Sequence, residues 1–184
     1  MNRRLSLGLL TVACVAVALW PSRVLANGGK AKNYTYKAEL SLGNDVGKAC
    51  QLSIEVNPVL FRLTTLNNKY YVLLLRTQNE TGVTLKLSST DDKVEILFGR
   101  KSIQGILNLA ATDSASWDVL TNHMRETLAY PAQVDAHEEE GLYIYLPVDA
   151  LKAVPETELP QAIVFTVKSL NSSVQLRRPG TAKP

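Results

Sequence analysis

A two-residue hydrophobic period constrains this chain more than any other feature. Tyr34, Tyr36, Ala38, Leu40 and Leu42 alternate with Thr35, Lys37, Glu39 and Ser41; Cys50, Leu52, Ile54 and Val56 alternate with Gln51, Ser53 and Glu55. Successive side chains of a strand point to opposite faces, so each segment presents one apolar and one wet face. Turn-forming residues separate the segments: Gly43-Asn44-Asp45, Asn67-Asn68, Asn79-Glu80-Thr81-Gly82, Ser89-Thr90-Asp91-Asp92 and Asn171-Ser172-Ser173. Further strands are expected at 60–66, 69–77, 83–87, 93–98, 103–109, 141–147, 162–168 and 174–178. Tyr70 to Leu75 is apolar on both faces, which marks a central strand.

Helical spacing occurs in one place. Trp117, Leu120, Met124 and Leu128 fit one face of a helix capped by Asp113 or Ser114 and ended by Pro131. One helical turn is also expected within 148–154. Nothing alternates strand with helix in the manner of a parallel α/β fold. The expected class is all-β: an antiparallel β-sandwich, immunoglobulin-like in the broad sense, with at most one short helix near 114–128. An up-and-down β-barrel is the alternative. The paired cysteines and intervening tryptophan of true immunoglobulin domains are missing.

The first 26 residues are different material. Arg3 and Arg4 precede an uncharged apolar stretch from Leu5 to Trp20, and Val24-Leu25-Ala26 offers small or apolar residues where a signal peptidase cuts. The stretch is short for a membrane span and is closed by Pro21. The expected organisation is a signal peptide over 1–26, a polar lead over 27–33, one β domain over 34–178 and a tail over 179–184. Cleavage removes Cys14 and three arginines, so Lys+Arg falls from 20 to 17 and equals Asp+Glu at 17. A neutral mature chain offers no electrostatic reason to bind nucleic acid, and no membrane span is expected after cleavage. Export to the periplasm or the cell exterior follows from the signal.

Chemistry is sparse. His123 and Met124 are soft or borderline ligands, and His137 with them makes a candidate copper site; copper is the only cofactor this inventory suggests. Asp135, His137 and Glu139 alternate and share a face if the segment is extended, although an acidic turn before the strand at 141–147 explains the same residues. Asp91-Asp92 reads as turn chemistry. There is no nucleophile elbow, phosphate loop or zinc helix, so no constellation supports an enzyme. Cys50 lies on the inward face of its strand and is expected to be buried. Asn33, Asn79 and Asn171 begin glycosylation-type triplets, two of them in expected turns. The functional expectation is an exported, non-catalytic binding or structural module whose partner is another exported or envelope protein. Its expected surface is the segment from Ala110 to Glu140, with Trp117, Tyr130, Asp135 and Glu139 as contact residues. A periplasmic small-ligand or copper carrier is the alternative.

Overall fold

The alternating segments pair as antiparallel strands in two main sheets. The computed structural model describes residues 33–43, 48–57, 65–155 and 158–178. The expected signal, the lead up to residue 32, most of the strand expected at 60–66, and the tail lie outside the described residues. The strands are β1 Tyr34–Leu40, β2 Cys50–Val56, β3 Thr65–Leu66, β4 Tyr70–Asn79, β5 Leu85–Lys86 and β6 Lys93–Phe98. They continue with β7 Lys101–Gly105, β8 Gln133–Val134, β9 Glu139–Pro147, β10 Ala162–Val167 and β11 Ser172–Leu176. Four short helices accompany them: α1 Leu109–Thr112, α2 Ser114–Asp118, α3 Asn122–Leu128 and α4 Val148–Leu151. The protein is therefore mostly β, with antiparallel sheets and little helix. Among the described residues, no helix is long and apolar enough to cross a membrane.

The first sheet runs β1-β2-β4-β9, with the short β3 also paired to β4. The second runs β11-β10-β6-β7, and β5 with β8 forms a separate ribbon. Two antiparallel bridges join the sheet margins, Lys37 to Arg177 at β1 and Ile106 to Tyr145 at β9. Strand order departs from an up-and-down path, because β9 lies beside β4 and β10 beside β6.

Both sheets turn their apolar faces to one core. Tyr36, Leu52, Leu75 and Ile144 from the first sheet pack in the same cluster as Ile96 and Phe165 from the second. Cys50 is fully buried there, as its inward position requires. Burial pushes its thiol up to about 11, with the Glu80 carboxylate adding to the effect. The phenol of Tyr36 donates to the Pro160 carbonyl at 2.5 Å, and burial pushes it up to about 12.

The sheets approach each other closely where β7 meets β9. A Cβ on Gly105 would lie 2.5 Å from the Ile144 side chain, so only glycine admits this approach. The next residue, Ile106, exchanges backbone hydrogen bonds of 2.9 Å with Tyr145 in both directions. Glycine here is a matter of space, since Val94 also crowds the position from the neighbouring strand.

Buried polar groups in the connections are satisfied. Asn79 is buried at the end of β4. Its amide nitrogen donates to the carbonyls of Val83 at 2.8 Å, Asp135 at 3.0 Å and Val134 at 3.3 Å, and its oxygen accepts from Thr81 N and Oγ1. This nitrogen is committed to the fold, so the Asn79 triplet carries no accessible acceptor, contrary to its expected exposure in a turn. Asp92 also belongs to the interior, whereas Asp91 stays on the surface. The Asp92 carboxylate accepts from the backbone N–H of Ser88 and of Lys168 at 2.8 Å each, and from Tyr130 Oη at 3.0 Å. One side chain thereby ties three connections together.

Several expected boundaries move. The strand expected at 103–109 occupies Lys101–Gly105, because Asn108 starts α1 by accepting from Ala111 N at 3.0 Å. The single helix expected over 114–128 is two helices: Asp113 caps the first, as expected, and Thr121 accepts a capping bond that starts the second, while α1 precedes them. That break turns Met124 outward, to 39% exposure, instead of along the apolar stripe.

Three measurements test this packing. Gly105→Val should destabilise the protein by about 1–3 kcal/mol through overpacking, read by chemical denaturation. In the alkaline range, unfolded thiols and phenols ionise near pH 8.5 and 10, below their folded values. The neutral forms therefore stabilise the fold fully below about pH 8.5, and stability should fall steadily as pH rises toward 12. Thermal melts between pH 8 and 12 measure this decline. A colorimetric thiol reagent should label Cys50 only after unfolding.

Candidate functional site

The outer face of the first sheet divides into a covered half and an open half. Along β4 the outward residues are Tyr70, Val72, Leu74, Arg76 and Gln78; on β9 they are matched by Pro147, Tyr145, Tyr143, Gly141 and Glu139. The first two pairs are apolar, and the helical segment covers them. Leu109, Leu120 and Tyr145 form a second buried cluster with Leu66, and Trp117, Leu128, Tyr70, Val72 and Tyr143 pack around it. Tyr145 donates to the Leu128 carbonyl at 2.8 Å, and burial raises its phenol well above the usual range. This second cluster is why the Tyr70–Leu75 run is apolar on both faces.

Asp113 anchors the helical segment to the sheet. Its carboxylate accepts from Ser116 N at 3.0 Å, Ser116 Oγ at 2.7 Å, Tyr70 Oη at 3.0 Å and Lys69 Nζ at 3.1 Å. The two Ser116 bonds, then Lys69, hold the carboxyl well below the usual range. A cavity of about 170 Å³ lies beside this layer, lined by Leu107, Leu109, Trp117, Leu128 and Tyr130 among others.

The open half begins where the helices stop. Its cross-strand rows are Leu74 beside Tyr143, Ser53–Arg76–Gly141, and Gln51–Gln78–Glu139. These side chains line a surface groove of about 390 Å³, together with Glu140 and the edge of Thr77. Gly141 shapes it. A Cβ there would come within 2.9 Å of Leu74 Cδ1, so the glycine lets Leu74 lie toward β9. Arg76 and Gln78 are exposed, while Leu74 and Tyr143 are half-buried in the floor.

The groove's polar side chains are mostly unengaged, unlike the buried hubs of the interior. Asn79, Asp92 and Asp113 each carry three or more bonds, as set out above. Among the described residues, the side chains of Ser53, Arg76, Gln78, Glu139 and Tyr143 have no hydrogen bond or ion pair. Gln51 donates to Glu39 at 3.3 Å, and Glu140 accepts from Gly141 N at 3.2 Å.

The residues singled out from sequence are scattered. His123 and Met124 are exposed on α3, and His137 is exposed in the β8–β9 connection. Among the described residues, no group of three or more His, Cys, Asp or Glu side chains is placed to hold a metal ion. The common face that an extended segment would give Asp135, His137 and Glu139 does not form. His137 takes a left-handed backbone (φ 63°), and Glu138 N bonds back to the Asp135 carbonyl at 3.3 Å, so the segment is a turn. Trp117 belongs to the helical layer and Tyr130 to the Asp92 latch. Asp135 Oδ1 accepts from Gln133 at 2.8 Å and Thr84 at 3.2 Å. Of the four expected surface residues only Glu139 reaches the groove. Arg76, Gln78, Gln51 and Ser53 were not anticipated. The available signal was Arg76, a charge that abruptly ends an apolar run. Comparison of the chain with protein-family models, curated proteins and solved structures finds no match.

The Asp113 anchor has a pH signature. Its folded carboxyl is depressed below the value of about 3.9 it takes when unfolded, so it stabilises the fold above that value. The contribution is lost as pH falls through about 4 toward the lower folded value. Asp113→Ala should melt at a lower temperature than the parent at pH 7, with the gap narrowing at pH 3.

Proposed function

We propose that this chain is an exported, non-catalytic binding module that uses the open half of its first sheet as the binding surface. The observation that carries this reading is the cluster of unengaged polar side chains around Arg76 in a groove whose floor is held rigid by two neighbouring ladders. A rigid sheet bearing free donors and acceptors recognises a ligand at little ordering cost. The N-terminal segment, read as a signal peptide, supports action in the periplasm or outside the cell. The two facing sheets around one core support the sandwich architecture, immunoglobulin-like in the broad sense, and the bridges at both margins give it a barrel-like closure.

The reading assigns Trp117 and Tyr130 to scaffolding and gives Arg76, Gln78 and Glu139 the contact role. Copper carriage through His123, Met124 and His137 is the competing proposal, and metal analysis of the exported protein decides it: stoichiometric copper lost on His123→Ala would replace the groove reading. For the groove itself, Arg76→Ala and Gln78→Ala should leave melting temperature within about 2 °C, since surface changes cost little. Both should release the protein from the envelope or matrix fraction of cells that express it. Retention equal to that of the parent chain would remove the groove from the function.

A further inference from the structure

The groove's chemistry selects among ligand classes. Its charge is mixed in sign: Arg76 stands in one row and Glu139 in the next, with a second carboxylate, Glu140, at the rim turned toward its own strand. A polyanion meets the glutamates and a polycation meets Arg76, so neither finds a field of one sign. Side-chain carboxamides (Gln51, Gln78) and a hydroxyl (Ser53) fill the spaces between the charges. Such groups donate and accept at adjacent positions, as a ligand rich in hydroxyls requires. The floor is apolar, made by Leu74 and the Tyr143 ring. An amphipathic aromatic ring beside planar polar groups suits the C–H face of a sugar, with its hydroxyls directed to the rim.

The geometry points to a neutral oligosaccharide chain as the occupant, lying across β2, β4 and β9 with Arg76 at its centre. This rests on the binding reading above and adds the ligand class. Glu139 accepts from ring hydroxyls, Arg76 donates to ring or hydroxyl oxygens, and Gln78 does both. No bond is made or broken in the ligand.

The test is an amide-resolved NMR titration of the exported chain with neutral hexasaccharides of glucose, galactose, mannose and N-acetylglucosamine at millimolar concentration. An acidic hexapeptide serves as the comparison ligand. At least one hexasaccharide should shift amides confined to residues 51–53, 74–78 and 139–143. Arg76→Ala and Gln78→Ala should each weaken that binding about tenfold, the effect of losing one charged or bidentate hydrogen bond. Gly141→Ala, which moves only the tip of Leu74, should weaken it as well while the remaining spectrum is unchanged. Absence of shifts with every hexasaccharide overturns the inference, as do shifts that both variants leave intact, or a preference for the peptide. Groove-dependent envelope retention without any sugar response removes the glycan and leaves the binding reading standing. Retention indifferent to the groove variants defeats both.

Discussion

The pairing of β4 with β9 carries the rest of the molecule. Nine successive residue pairs, from Tyr70–Pro147 to Gln78–Glu139, hold these strands side by side. Inward, Leu73, Leu75, Leu142, Ile144 and Leu146 fill the main core. Outward, the same ladder presents an apolar platform at one end and a polar groove at the other. Cross-strand neighbours on one face lie about 5 Å apart, so a ladder this long fixes the positions of every outward side chain relative to the next. The helical layer and the groove therefore share one rigid base.

That base depends on contacts made at its margins. Tyr145 is bonded through its backbone to Ile106 and through its phenol to Leu128, so one residue joins the second sheet, the first sheet and α3. Gly105 permits the first of these contacts by having no side chain. Asp92 and Asp113 do comparable work with charge. Each gathers donors from segments far apart in sequence, and each is surrounded by enough hydrogen bonds to offset its desolvation.

Most strands were legible because one face of each is wet, and a two-residue period survives in sequence whenever that holds. β1, β2 and β6 are where the alternation puts them, and the apolar run in β4 announced a strand covered on both sides. The helical segment was legible only in part. Its spacing identified Trp117, Leu120 and Leu128 as inward but also drew in Met124, because Thr121, the capping side chain that divides the segment, looks like an ordinary polar residue of one helix. The groove was illegible for a different reason. Ser53, Arg76 and Gly141 become neighbours through strand register, which no local pattern encodes. The left-handed turn at His137 likewise removed a face that strict alternation would have built.

The burial of Asn79 bears on how the protein can be made. The Asn79-Glu80-Thr81 triplet is a substrate for asparagine glycosylation only while the chain is extended, because the folded amide is enclosed by Val83, Val134 and Asp135. A host that attaches sugars during export would modify the nitrogen that these carbonyls need. Folding and glycosylation are then rival fates for the same atom, and the yield of native protein becomes a race between them. A host lacking that modification lets every chain close the turn.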